Sequence, residues 1–237
     1  MESEKVINQW NKVAENYSKT QRNSPNNLTN FQALKELLGD VSKKIVLDAG
    51  TGDGYFANEL KNLGAKVFAC DGSSTQIDIA KKEFEGIDFK VCNLTKSLPY
   101  ESKTFDVVVS SLTLMDIDEL DTFFDETNRV LKDDGRLVFS VVHPCFFLGH
   151  WDYDENGKKE YKNVKNYWKN SKEILNFWGE TTHYHRPITW YSKLIKKHGF
   201  LIEEIKENPD DENVYEIIPE HHKRVPLYFC VSCLKRK

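Results

Sequence analysis

Alternation of short apolar strands with helix-length segments constrains the fold of this chain more than any other feature. Between residues 44 and 142, strand-like apolar runs are separated by stretches with helical periodicity, and several of those stretches end at a glycine. The clearest strand spans 105–111 and contains three successive valines. This alternation is typical of βαβ units with right-handed crossovers, so it predicts a parallel sheet with helices on its faces.

The loop after the first predicted strand carries the strongest functional signal. Gly50, Gly52 and Gly54 occupy every second position there, which lets the backbone pass close to a ligand. A dinucleotide-binding fingerprint would place its third glycine at position 55, where the chain has Tyr55, so pyrophosphate binding is disfavoured. Asp48, at the end of the same strand, would repel a phosphate and attract a cation.

A second acidic residue, Asp71, ends the next predicted strand. A carboxylate in that position can accept hydrogen bonds from both hydroxyls of a ribose. Taken with the glycine loop and Asp48, it predicts a ligand with a ribose, a positive charge and no tightly bound phosphate. S-adenosylmethionine has these properties, because it combines adenosine with a sulfonium and an ammonium group.

The sequence resembles the class I S-adenosylmethionine-dependent methyltransferases, in particular their small-molecule, type 11-like branch. The likeness spans about residues 10–149 and, more weakly, 181 to the end. The segments that match the family are 48–54, Asp71, Asn93-Leu94, Leu98-Pro99-Tyr100, Phe105-Asp106 and 110–114. The resemblance implies an α/β fold: a Rossmann-like, seven-stranded, mostly parallel sheet with helices on both faces and an antiparallel last strand.

The resemblance also implies S-adenosylmethionine as cofactor and a set of residues that bind it. Asn93 stands where the family commonly has aspartate, and an amide oxygen can still accept a hydrogen bond from the adenine amino group. The predicted cofactor-binding residues are Asp48, Gly50, Gly52, Gly54, Asp71, Gly72, Asn93, Leu94, Ser110 and Tyr17.

Two histidines are the candidate catalytic residues. His143 follows the fifth predicted strand, where it could deprotonate a methyl acceptor; alternatively it fixes the turn before Pro144. His185 is the reserve candidate and lies in the polar cluster 181–187, where an extended backbone would place His183 on the same face. This cluster forms either the polar edge of a pocket or a structural segment. No metal site is expected, because a third ligand is missing.

We expect one methyltransferase domain over residues 1–237, with a helical cap at 1–40 and an insert at 143–187 that acts as a lid. Ten of the 45 residues in the insert are aromatic, which suits a cover over an apolar small-molecule pocket. The alternative is a flap that packs its aromatic side chains on the core. Trp10 and Tyr17 could close over a sulfonium, or could be ordinary core residues.

The charge balance bears on the partners of the protein. With 33 basic and 37 acidic residues, the net charge of −4 disfavours nucleic acid and anionic membranes. We expect a cytoplasmic monomer or homodimer that methylates a small-molecule acceptor and has no membrane span. One alternative is an RNA or tRNA methyltransferase, and another is a nonenzymatic S-adenosylmethionine-binding protein. The best argument for RNA is a series of lysines in the insert: Lys158, Lys159, Lys162, Lys165, Lys169 and Lys172.

Overall fold

A computed structural model of the chain describes residues 2–22 and 24–236. Within these residues the elements follow one another along the chain as helices, strands and two short 3-10 turns. They are α1 (Glu2–Gln21), α2 (Pro25–Leu38), β1 (Ile45–Ala49), α3 (Tyr55–Asn62), β2 (Lys66–Asp71), α4 (Ser74–Glu83), β3 (Asp88–Val91), β4 (Phe105–Ser111), a 3-10 turn (Leu114–Asp116), α5 (Asp121–Val130), β5 (Leu131–Val142), β6 (His150–Tyr153), β7 (Lys159–Asn163), β8 (Ser171–Leu175), β9 (Thr181–His185), α6 (Ile188–Lys197), β10 (Phe200–Lys206), α7 (Glu212–Glu216), a 3-10 turn (Glu220–Lys223) and β11 (Tyr228–Lys235).

Seven of these strands form one sheet in the order β3-β2-β1-β4-β5-β11-β10. The pairs from β3 to β5 are parallel, whereas β11 runs antiparallel to both β5 and β10. The predicted fold class is therefore confirmed, including the antiparallel last strand. In such a sheet the carboxyl ends of β1, β2 and β4 meet at one edge, and ligands bind there in open α/β sheets.

The sheet has an apolar core on each face. On one face, α2, α3 and α4 contribute side chains such as Leu34, Leu60 and Ile77; on the other, α5 and α6 contribute Phe123 and Leu194. The last strand contributes one cysteine to each of the two cores. Its two cysteines point to opposite faces: Cys230 joins the first core and Cys233 joins the second.

Two details of the chain lie beyond the elements that the sequence predicted. The helix α5 ends at Val130, because Leu131 already pairs with Phe105 in the sheet. The insert contains two antiparallel hairpins outside the main sheet, in which β6 pairs with β7 and β8 pairs with β9.

Candidate functional site

The glycine loop turns sharply at the carboxyl end of β1. The amides of Gly50 and Thr51 both donate to the carbonyl of Cys70 on the neighbouring strand, at 2.8 and 3.0 Å. Gly50 has a φ of +83°, and a Cβ there would lie 2.3 Å from Oγ1 of Thr113. Only glycine fits this position, because both the backbone conformation and the contact exclude a side chain.

The other two glycines of the loop have different surroundings. Gly54 begins α3 at a φ of +79°, and a Cβ there would lie 2.9 Å from Ala80 and Phe89. Gly54 thus serves close packing of α3 against its neighbours and does not line a cavity. Gly52 has a φ of +55° with open space where a Cβ would lie.

Asp71 clamps the glycine loop to the start of the next helix. Its Oδ2 accepts from the amide of Gly52 at 2.9 Å, and its Oδ1 accepts from the amide of Ser73 at 2.8 Å. Burial raises the pKa of Asp71, while these two backbone hydrogen bonds act to lower it. The carboxylate is therefore fixed in direction at the edge of the sheet where a ligand would bind.

Asp48 lies beneath the loop and is almost fully buried. The hydroxyl of Thr51 donates to its Oδ2 at 2.7 Å, whereas its Oδ1 has no hydrogen-bond partner among the described residues. Burial, together with the charges of Asp71 and Asp53, raises the pKa of Asp48 to about 7. A cation above the loop would offset this accumulation of negative charge.

A polar cavity of about 110 Å³ opens above Gly50 and Asp71. Seven of the ten predicted cofactor-binding residues line it, with Asp48, Gly54 and Ser110 outside the lining. Ser110 is buried and donates to the carbonyl of Ala49 at 2.7 Å, so it supports the loop from below. The seven residues in the lining are Tyr17, Gly50, Gly52, Asp71, Gly72, Asn93 and Leu94.

The amide oxygen of Asn93 is already engaged in this structure. It accepts from the amide and the hydroxyl of Thr95, at 2.9 and 2.8 Å, and so shapes the turn after β3. The Asn93 Nδ2 group donates to the hydroxyl of Ser3 at 3.4 Å. Asn93 lines the polar cavity through a side chain that is held by its neighbours.

A second cavity, of about 690 Å³, adjoins the first; we call it the aromatic cavity. Trp10, Tyr17 and Leu112 line both cavities and so stand at their junction. Trp178 from the insert packs against both aromatic rings of α1, with ring centroids 6.0 Å from Trp10 and 4.8 Å from Tyr17. The insert and α1 thus cover the same opening.

An aspartate and a histidine meet between the two cavities. Asp116 lines the polar cavity and His183 lines the aromatic one, and Asp116 Oδ1 lies 3.3 Å from His183 Nε2. Both residues are buried, and these two atoms and His183 Nδ1 have no well-formed hydrogen bond among the described residues. Burial raises the pKa of Asp116 well above its usual range and lowers the pKa of His183 to about 4.

Arg186 fixes the geometry of this pair. Its buried guanidinium donates to the carbonyls of Leu114, Ile117 and Asp118, at 3.3, 2.5 and 2.7 Å. These carbonyls flank Asp116, and Arg186 lies three residues after His183. The loop after β4 and the end of β9 are therefore held together by one side chain.

The two predicted catalytic histidines lie outside the aromatic cavity. His143 Nδ1 accepts from the amide of Cys145 at 3.1 Å, so Nε2 carries the proton and donates to Glu207 at 2.7 Å. Burial lowers the pKa of His143, against the effect of Glu207. These contacts favour the alternative in which His143 fixes the turn. His185 Nε2 lies 2.9 Å from the carbonyl of Tyr167, and His185 lines a small cavity on the other side of His183.

From the sequence, His183 was expected only as part of the polar cluster 181–187, at a pocket edge or in a structural segment. Asp116 was not among the predicted site residues. The signal for Asp116 was its position just after β4, because side chains that follow parallel strands collect at the ligand-binding edge of the sheet. No group of three or more His, Cys, Asp or Glu side chains that could hold a metal occurs in residues 2–22 and 24–236. Nor does any helix in this part of the chain have the length and apolarity to cross a membrane.

Comparison with known proteins agrees with this geometry. Residues 47–139 match the methyltransferase domain family. This part of the chain is a methyltransferase domain. One solved structure, from Listeria monocytogenes, is named as an S-adenosylmethionine-dependent methyltransferase and superimposes with a TM-score of 0.76. The two chains are 29% identical, and the superposition covers 88% of this chain and 97% of that one. The family predicted from the sequence is thereby confirmed.

Two curated relatives are named for the compounds on which they act. Demethylmenaquinone methyltransferase of Tropheryma whipplei is 30% identical over 59% of this chain and 60% of its own length. Malonyl-[acyl-carrier protein] O-methyltransferase of Hamiltonella defensa is 29% identical over 46% of this chain and 42% of its own length. The chain thus spans less than two thirds of the curated relatives it matches.

Proposed function

We propose that this protein transfers a methyl group from S-adenosylmethionine to a small-molecule acceptor. The observation that carries the proposal is the pair of adjoining cavities, one polar with fixed carboxylates and one large and aromatic. The relatives named for methylation of demethylmenaquinone and of malonyl-[acyl-carrier protein] support an acceptor other than nucleic acid. We place the activity in the cytoplasm, in keeping with the five unpaired cysteines.

The polar cavity fits this cofactor on its own chemistry. Asp71 offers a fixed carboxylate to ribose hydroxyls, and Gly50 leaves the backbone open to close approach. The buried carboxylates of Asp48 and Asp116 each have an oxygen without a hydrogen bond among the described residues, which suits a ligand with two positive centres. A dinucleotide would instead bring phosphates toward these acids.

Catalysis then depends on positioning, exclusion of water and removal of one proton. Bound S-adenosylmethionine supplies a methyl group on a sulfonium leaving group. Trp10 and Tyr17 stand where the cavities meet, and aromatic faces there stabilise a cation by ~0.5–2 kcal/mol. Holding the acceptor in line supplies a further ~7–11 kcal/mol of the barrier reduction.

We assign removal of the acceptor proton to His183, with Asp116 beside it. A neutral imidazole is able to accept a proton, and burial keeps the ring neutral by lowering its pKa to about 4. His183 would take the proton that the acceptor loses. Burial favours the protonated form of Asp116 in the ligand-free protein, and the positive charges of a bound cofactor would favour its carboxylate. That carboxylate, with Oδ1 3.3 Å from His183 Nε2, would stabilise the protonated ring.

We further propose that α1 and the insert act together as a lid. Gln9 on α1 donates to Glu180 at 2.8 Å and accepts from the hydroxyl of Thr182 at 2.8 Å, and Asn16 donates to the carbonyl of Trp178 at 3.0 Å. These bonds join two segments that lie outside the sheet. Since exchange of ligands requires an opening, the two segments should open as one unit.

The proposal is tested with methyl-labelled S-adenosylmethionine and a metabolite extract. We expect label to appear in a small-molecule product, and calorimetry to show that the protein binds S-adenosylmethionine but not NAD. Binding of NAD with equal or higher affinity would contradict the cofactor assignment. Binding of S-adenosylmethionine without transfer to any acceptor would favour a nonenzymatic binder instead.

A further inference from the structure

The lysines of the insert do not form one basic surface. Lys159 and Lys162, both on β7, are half-buried and line the aromatic cavity. Lys172 forms an ion pair with Glu2 on α1, and Lys165 and Lys169 are exposed and do not line the cavity. The lysines that had favoured RNA binding therefore lie in different surroundings, and two of them line the aromatic cavity.

These two ammonium groups lie against an aromatic side chain. Nζ of Lys162 is 5.0 Å from the ring centroid of Trp151, and Nζ of Lys159 is 5.7 Å from it. In residues 2–22 and 24–236, no carboxylate forms an ion pair with either lysine. Two like charges share this wall of the cavity, and the aromatic face offsets only part of their repulsion.

A histidine and a further cation, Arg224, lie near the pair. His221 Nε2 lies 3.2 Å from Nζ of Lys159, and the pKa of His221 is lowered by burial and then by Lys159, Lys162 and Arg224. Burial and Lys159 also lower the pKa of Lys162. Both shifts have the direction expected where burial and neighbouring cations act on a basic group.

The rest of the cavity wall is apolar or neutral. Its aromatic and aliphatic members outnumber the polar ones, and His183 contributes a neutral imidazole. An anionic group would be stabilised at the lysine pair, and an apolar body would fill the remaining space.

We propose that the methyl acceptor is an aromatic or otherwise apolar compound with an anionic group, and that Lys159 and Lys162 bind this group in the aromatic cavity. This inference rests on the proposed function, since the cavity is taken to be the acceptor site. The anion would neutralise two half-buried charges that form no ion pair with a carboxylate among the described residues.

The first test separates acceptors by charge. A metabolite extract is passed over an anion-exchange resin at pH 7, and the bound and unbound fractions are each incubated with the protein and methyl-labelled S-adenosylmethionine. We expect labelled product from the bound, anionic fraction. Label arising only from the unbound fraction would overturn this inference while leaving the proposed function intact. Label from neither fraction would contradict the proposed function itself.

The second test uses the acceptor purified from the active fraction and measures its binding by calorimetry without cofactor. The double variant Lys159→Gln, Lys162→Gln should bind it about 10- to 100-fold more weakly, as expected for loss of hydrogen bonds to a charged group. The matched control Lys165→Gln, Lys169→Gln removes the same charge from the same insert and should bind as the wild type does. Affinity for S-adenosylmethionine should stay unchanged in both, which shows that the variants are folded. Equal weakening in both double variants would mean that only overall charge matters, and would overturn the proposal.

Discussion

Asp48 should make the unliganded protein less stable as the pH rises, and its replacement by asparagine should remove that effect. The pKa of this carboxyl rises from 3.8 to about 7 on folding, mainly because the group is buried. The folded state therefore keeps a proton in a pH range where the unfolded state has released it. The contribution of Asp48 to the free energy of unfolding is greatest below pH 4 and is lost as the pH rises to about 7.

The magnitude follows from the shift. About three pKa units at 1.36 kcal/mol per unit correspond to about 4 kcal/mol between the two ends of this range. The lowered pKa of His183 acts in the opposite direction between about pH 4 and 6.5, because the unfolded state then binds the extra proton. His183 is present in both proteins, so its effect cancels in the difference between wild type and Asp48→Asn.

The assay is urea unfolding of the cofactor-free protein at several values between pH 4 and pH 8. The difference in unfolding free energy, Asp48→Asn minus wild type, should rise with pH by up to about 4 kcal/mol. Glu119→Gln, at an exposed position, provides the pH dependence of removing one unburied charge. A difference for Asp48→Asn that is independent of pH, or that falls as the pH rises, would show that folding does not raise the pKa of Asp48.

Three further predictions test the site by substitution. Asp71→Asn should weaken S-adenosylmethionine binding about 10- to 100-fold in calorimetry, because one of two fixed carboxylate acceptors is lost; unchanged affinity would remove this residue from the site. Gly50→Ala should lower the melting temperature more than Gly52→Ala, because the new Cβ at position 50 lies 2.3 Å from a threonine side chain and the one at position 52 meets nothing; equal effects would contradict the contact. His183→Gln should slow single-turnover transfer by about 10²- to 10⁴-fold, whereas His143→Gln should lower thermal stability and leave transfer by the folded protein near wild type; the reverse order would restore His143 as the base.

The main sheet could be predicted because each of its elements is encoded locally. The strand 105–111 is rich in valine, and a glycine follows α3. In both cases a few adjacent residues are enough to predict the local structure. The glycine loop could be predicted for the same reason, since its conformation depends on residues adjacent in sequence. The hairpins of the insert escaped prediction because their strands alternate weakly and are half-exposed, so no apolar period marks them.

The proposed catalytic pair could not be derived from the sequence, because nothing local distinguishes it. Asp116 and His183 are 67 residues apart, and their meeting depends on where the insert returns to the sheet. Sequence reasoning chose His143 because it follows a strand at the correct edge, but the direction of a side chain in a turn is set by its hydrogen bonds, here to Cys145 and Glu207. Arg186 was the available clue. A buried guanidinium needs several hydrogen-bond acceptors, and the carbonyls of the loop after β4 provide them. Because Arg186 follows β9 directly, these bonds hold His183 close to Asp116.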